Sequence, residues 1–193
     1  MNTEKINGES TKDVRLATKR NVRCSDLLLR FMALALTLAA SITLGVSKQT
    51  KIVPITLVST LPPINLAVTA KWHDMSAFTY FVVTNSIACS YGAVSLILVL
   101  ANRGKKTGYL ATTIMILDIL ILVVLASGIG AASAVGILGY NGNKHVHWEK
   151  VCHIFGKFCH QVSGAVIVSL LGSLAYLLLL VLSALDLHKK NIY

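Results

Sequence analysis

Four long apolar stretches dominate the chain, and each is long enough to cross a lipid bilayer as a helix. They cover residues 27–46, 78–100, 109–138 and 162–185 of the 193-residue sequence, whereas about 20 predominantly apolar residues suffice for one crossing. Only 13% of the residues are charged, against roughly 25% in a soluble domain. The sequence therefore predicts an all-α fold, a four-helix transmembrane bundle.

The predicted domain organisation follows from these four spans. Residues 27–187 form one membrane domain, with outer loops at 47–77 and 139–161. Residues 1–26 and 188–193 form two polar tails. The first tail has mixed charge and no apolar periodicity, so it is predicted to be disordered.

The first outer loop contains an apolar segment, residues 52–70, that is not a fifth span. Pro54, Pro62 and Pro63 interrupt it, and proline removes a backbone donor and clashes inside a helix. Val, Ile and Thr dominate the remainder, and these residues favour extended structure. The loop is therefore predicted to be extended or hairpin-like and to lie over the outer helix ends.

The distribution of Lys and Arg predicts the orientation of the bundle. The two tails and the loop between the second and third spans together hold eleven, whereas the two longer loops hold six. Because cytosolic loops carry the excess, both termini are predicted to be cytosolic. The net charge of +10 resides near the membrane edges, where it attracts anionic lipid, so nucleic acid is excluded as a partner.

Two spans each carry one ionisable residue, Arg30 in the first and Asp118 in the third. A charge near the bilayer centre costs roughly 2.5–3.5 kcal/mol on the insertion scale, so it needs a partner or an escape route. Both spans run outward from the cytosol, and at about 1.5 Å per residue the two depths differ by only several ångströms. We predict a structural ion pair that fixes the register of the two helices. The alternative for Arg30 is to extend to the headgroups.

Small residues recur every three or four positions in the third and fourth spans. The sets are Gly128, Ala132 and Gly136, a second set of Ala126, Gly130 and Ala134, and, in the fourth span, Ala165, Ser169 and Gly172. Such spacing lets helix backbones approach closely in lipid. It indicates either packing within one bundle or an oligomerisation face, and both can hold on different faces. At 100° per residue, Asp118, Leu125, Ala132 and Gly136 share one face.

The four cysteines separate by compartment. Cys24 precedes the first span, Cys89 lies within the second, and Cys152 and Cys159 fall in the second outer loop. Of the three pairings that four cysteines allow, this topology leaves a Cys152–Cys159 disulfide, in an oxidising compartment. Cys24 is either a free cytosolic thiol or a site of reversible palmitoylation.

No catalytic or metal-binding pattern emerges from the polar residues. The second outer loop holds four histidines beside Trp148, namely His145, His147, His153 and His160. Their spacing matches no structural zinc pattern. All six histidines lie outside the spans, which excludes axial haem ligands there. With no nucleophile–base pair or phosphate loop, we predict a protein that is not an enzyme and has no cofactor.

Several short segments together resemble one family. They are Leu-Leu-Leu-Arg30-Phe in the first span, Ile-Leu-Asp118-Ile-Leu in the third, Trp148-Glu-Lys-Val-Cys152 and Phe158-Cys159 in the second outer loop, and Gly164 in the fourth span. The chain resembles the plant Casparian strip membrane protein-like (CASP-like) proteins, which are related to the four-span MARVEL proteins. The segment from Pro62-Pro63 to Trp72 is similar to one subgroup of that family.

The resemblance implies a multi-pass plasma-membrane protein with cytosolic termini that forms homo- and hetero-oligomers with itself and related family members. Strip-forming members of the family organise membrane platforms and recruit secreted cell-wall enzymes. The predicted function is therefore an oligomerising scaffold that organises a membrane subdomain and recruits cell-wall-modifying partners. The alternative is a small channel or transporter that uses Asp118 as its coupling group. An ion pathway would show more polar groups within the spans than one acid and one base.

Overall fold

The computed structural model describes residues 3–55, 64–101, 108–142 and 150–191. In chain order its elements are α1 (Thr3–Gly45), β1 (Lys48–Ile55), β2 (Ile64–Lys71), a short 3-10 turn (Trp72–Asp74), α2 (Ser76–Ala101), α3 (Gly108–Asn141), α4 (Val151–Ile154) and α5 (Gly156–Asn191). Four helical segments are long and apolar enough to cross a membrane: Cys24–Gly45, Ser76–Ala101, Tyr109–Asn141 and Gly156–Asp186. The prediction of a four-helix transmembrane bundle is confirmed.

The four long helices pack as the corners of a square. α1 packs against α2 and α5, and α3 packs against the same two helices. This arrangement places α1 and α3 on one diagonal of the bundle. Its interior has one apolar cluster around Phe78, Phe81 and Phe158, near the strands, and a second around Leu125 and Tyr176 towards the other end.

The loop between α1 and α2 forms a β-hairpin, as the prolines and β-branched residues predicted. The strands are antiparallel, with Lys48 opposite Lys71 and Ile55 opposite Ile64. The side chain of Gln49 accepts a hydrogen bond of 2.8 Å from the backbone N–H of Phe158. The hairpin is thereby tied to the start of α5, and we call this end of the bundle the hairpin end.

The C-terminus of α3 depends on a glycine. Gly142 follows the helix with a φ of 69°, a left-handed conformation that glycine adopts without steric cost. Its backbone N–H donates to the carbonyl oxygen of Leu138 at 2.9 Å. This bond satisfies one of the terminal carbonyls of α3 and ends the span at the hairpin end.

The helices extend further than the sequence analysis predicted. α1 begins at Thr3, within the tail predicted to be disordered, because residues 3–26 contain no proline and only one glycine to interrupt the backbone ladder. α4 and the first turns of α5 lie within the predicted outer loop 139–161, and α5 continues to Asn191. Trp148 lies outside the described residues.

Candidate functional site

Arg30 and Asp118 meet inside the bundle. Arg30 Nη2 lies 3.3 Å from Asp118 Oδ2, and the exposed fractions of the two side chains are 3% and 0%. The pair joins α1 to α3, the two helices on one diagonal. The guanidinium therefore points into the protein instead of extending to the headgroups.

Two side chains of α2 complete the hydrogen bonding of this pair. Arg30 Nη1 donates to Ser95 Oγ at 3.0 Å. The Tyr91 hydroxyl donates to Asp118 Oδ1 at 2.6 Å, and it also lies 3.1 Å from the carbonyl oxygen of Ile114. Hydrogen bonds in which one partner is ionised are roughly twice as strong as neutral ones, and these contacts join α1, α2 and α3.

A second carboxylate reaches Arg30 from one turn earlier in α1. Asp26 Oδ2 lies 3.5 Å from Arg30 Nε, and the Asp26 side chain is 26% exposed. We call Asp26, Arg30, Tyr91, Ser95 and Asp118 the charge network. Within the described residues, no buried side-chain nitrogen or oxygen lacks a hydrogen-bond partner, so the network is satisfied by protein groups alone.

Tyr91 and Ser95 are the members of the charge network that neither hydropathy nor charge identified. Depth along the antiparallel helices narrows the search for such partners but does not single them out. Ser95 lies about 9 Å from the end of α2 at Ala101, and Arg30 lies about 9 Å from Cys24, at 1.5 Å per residue. Residues at equal depth on facing helices are the natural candidates for partners.

Further buried polar contacts join α2 to α5. Ser169 Oγ donates to Asn85 Oδ1 at 2.8 Å, and the Tyr176 hydroxyl donates to the carbonyl oxygen of Ala88 at 2.8 Å. The interior thus holds more polar groups than the one acid and one base noted in the sequence. Each of these groups bonds to a neighbouring helix, as polar residues do at membrane helix interfaces.

The first set of small residues faces the interior. A Cβ added to Gly128 would overlap the side chain of Thr84 on α2, and one added to Gly172 would lie 3.3 Å from Thr37 Cγ2 on α1. Other members of the predicted sets are fully buried, namely Ala132, Ala165 and Ser169. These residues are covered by neighbouring helices of this chain. Gly136 is half-buried, and a Cβ there would contact nothing within 4 Å.

The second set on α3 faces away from the bundle. Ala126, Gly130 and Ala134 are all exposed, and a Cβ on Gly130 would contact nothing within 4 Å. We call these three residues the α3 stripe. The α3 stripe is a shallow depression on a surface that otherwise presents large side chains such as Val123 and Ile137.

The disulfide joins Cys152 of α4 to Cys159 of α5 across a sequence separation of 7. In the chain-entropy model, a cross-link that closes so short a loop raises the free energy of unfolding by about 2–3 kcal/mol. It fixes how the chain enters α5. Cys24 and Cys89 are free, and Cys24 is exposed, as acylation would require.

Two residues of the segments that resemble the family, Phe158 and Gly164, lie in α5 near the disulfide. Phe158 is buried and contacts Phe78 edge to face, with ring centroids 5.9 Å apart. Gly164 is half-buried, in α5. Among the described residues, no group of three or more His, Cys, Asp and Glu side chains is arranged to hold a metal ion.

Comparison with known proteins matches this four-span architecture to one family. The Casparian strip membrane protein domain matches residues 19–175. The protein belongs to the CASP-like family. CASP-like protein 1E1 of Glycine max is 58% identical over 86% of this chain and 88% of its own length, and CASP-like protein 1E2 of the same plant is 53% identical over 93% and 96%.

More distant members of the CASP-like family have similar coverage. CASP-like protein 1E1 of Arabidopsis thaliana is 47% identical over 84% of this chain and 85% of its own length. No solved structure matches the chain. The domain match extends from before Arg30 to beyond Asp118 and the disulfide, so the charge network lies within the matched region.

Proposed function

We propose that this CASP-like protein is a non-enzymatic scaffold of the plasma membrane. In this proposal it associates with copies of itself and with related family members, organises a membrane subdomain and recruits cell-wall-modifying partners. The observation that carries the proposal is the exposed α3 stripe. Small residues every four positions let a second helix approach closely, and close packing drives association in lipid, where there is no hydrophobic force between helices.

A membrane platform needs more than one contact face, because a single two-fold face closes into a dimer. α1 carries a second pair of exposed small residues four positions apart, Ala35 and Ala39. α1 and α3 lie on one diagonal of the bundle, so the two faces point in different directions. Contacts through both faces would extend into a larger assembly.

The hairpin supplies the surface that we assign to partners. Lys48, Thr50, Lys51 and Ile52 are exposed on β1. In the proposed orientation, which follows the excess of Lys and Arg on the other side, this surface faces the cell wall. Exposed basic and apolar side chains on a framework tied to α5 would suit a secreted protein partner.

The charge network supports a scaffold over a channel or transporter. Both carboxylate oxygens of Asp118 are engaged, one by Tyr91 and the other by Arg30. An ion-coupling carboxylate must exchange these bonds for a transported ion, at the cost of leaving buried Arg30 with only the partly exposed Asp26 as its partner. We therefore assign the network to the register of the helices.

The proposal predicts that Gly130→Leu shifts the purified protein to smaller assemblies. The leucine would cover the α3 stripe and hold a second helix away, while Gly136→Leu places the same side chain elsewhere on α3. We expect native-size analysis in mild detergent to give a dimer or larger species for the wild type and for Gly136→Leu. Identical, purely monomeric profiles for all three proteins would contradict the proposal.

A further inference from the structure

An open groove of about 420 Å³ runs between α3 and α5 at the hairpin end. Phe78 of α2 lines it together with Ala132 and Gly136 of α3 and Val162 and Val166 of α5. Its volume falls within the range of about 300–1,000 Å³ that is typical of ligand sites. The packing, disulfide and network described above give this groove no role.

The length of the groove matches one leaflet of a bilayer. Its lining extends along α3 from Asn141 to Ala132, and along α5 from Phe158 to Val166. At 1.5 Å per residue these distances are about 13 Å and 12 Å. The hydrocarbon region of one leaflet is about 15 Å deep, half of the whole core. A ligand that lies along the helices would span the apolar depth of one leaflet.

The groove lies between two helices that pack against each other. α3 and α5 are neighbours in the bundle, and residues of both helices line the groove along its length. An unbranched alkyl chain that lies along this line contacts both helices at once, and close contacts of this kind favour association in lipid.

Two exposed lysines are sequence neighbours of residues that line the groove at the hairpin end. Lys150 and Lys157 are exposed, and each directly precedes a residue that lines the groove, Val151 and Phe158. The N-terminus of α5 is at the same level, and the positive end of a helix dipole favours an anion. This end of the groove complements a phosphate group, and the apolar remainder complements a hydrocarbon tail.

We propose that the groove binds one glycerophospholipid of the leaflet at the hairpin end. One acyl chain lies between α3 and α5, and the phosphate lies beside Lys150 and Lys157. Phospholipid binding requires only the folded bundle, so it does not depend on self-association. The site would give the scaffold a means to select the lipid that surrounds it.

Gly136→Leu tests the site, because Gly136 lines the groove and a Cβ added there meets no protein atom within 4 Å, so we expect the leucine side chain to occupy part of the groove. The wild type, Gly136→Leu and Gly130→Leu are reconstituted in nanodiscs that contain phosphatidylglycerol, then released into mild detergent for native mass spectrometry. We expect one retained phospholipid per chain in the wild type and in Gly130→Leu. Gly136→Leu should retain at least about tenfold less.

Three results would overturn the phospholipid site. One is equal retention by the wild type and Gly136→Leu, with both intact in size and in the Cys152–Cys159 disulfide. Another is preferential retention of a sterol added to the nanodiscs, which would assign the groove to a different lipid class. The third is unchanged retention by a Lys150→Gln, Lys157→Gln double variant, which would show that the phosphate does not bind beside these lysines.

Discussion

Asp118→Ala should destabilise the folded protein by about 3–5 kcal/mol, the usual cost of removing one partner of a buried ion pair. The variant leaves the Arg30 guanidinium 3% exposed, with Asp26 at 3.5 Å as its remaining carboxylate. It also removes the carboxylate oxygen to which Tyr91 donates. We expect a loss of folded protein in thermal unfolding monitored by size exclusion in detergent.

Two further variants separate the ion pair from a general effect of mutation. Asp26→Asn removes the partly exposed partner and should cost about 1 kcal/mol or less, as surface pairs do. Arg30→Gln combined with Asp118→Asn removes both charges but keeps hydrogen-bonding groups, so it should be more stable than Asp118→Ala alone. If Asp118→Ala were as stable as Asp26→Asn and abolished an ion flux in vesicles, the transport hypothesis would replace the structural one.

Gly128→Leu should be the most damaging glycine substitution in α3. A Cβ at this position would overlap Thr84, which is itself 1% exposed, so α2 and α3 would have to separate. Overpacking of this kind costs about 1–3 kcal/mol and occasionally more. We expect a clear decrease in melting temperature in detergent or nanodiscs.

Gly130→Leu is the matched control for this prediction, since it lies two residues away and faces outward. A Cβ added to Gly130 meets no protein atom within 4 Å, and leucine is favoured over glycine in a helix by about 0.8–1.0 kcal/mol at most. A milder Gly128→Ala should regain part of its stability when it is combined with Thr84→Ala, which removes Thr84 Oγ1 and Cγ2 and leaves only Thr84 Cβ near the new methyl group. Equal melting temperatures for Gly128→Leu and Gly130→Leu would disprove the close contact.

The sequence predicted well those features whose alternatives carry a large energetic cost. Four apolar stretches cannot remain in water, the prolines prevent a fifth helix, and opposite charges at similar depth need each other in hydrocarbon. The face of α3 that carries Asp118 also predicts correctly that Leu125 and Ala132 are buried. Helical periodicity was sufficient for these positions because a buried charge orients the whole helix.

The hydroxyl partners of the charge network could not be recognised in the same way. A hydroxyl in a membrane helix can bond to the carbonyl four residues earlier, as exposed Ser86 and Ser90 do here. Its presence in a span therefore does not demand a partner on another helix. Ser95 and Tyr91 differ from such residues only in the side chains that the fold brings to them.

The most direct test of the scaffold proposal is a cysteine cross-link at the α3 stripe. Gly130→Cys would be placed in a Cys24→Ser, Cys89→Ser background that keeps the disulfide and has no other free cysteine. Ile167→Cys on α5 is the control, because Ile167 is 56% exposed and lies as far from the start of α5 as Gly130 lies from the end of α3. We predict a cross-linked dimer in membranes for Gly130→Cys and little or none for Ile167→Cys. Equal cross-linking of the two, or none in either, would contradict association through the α3 stripe.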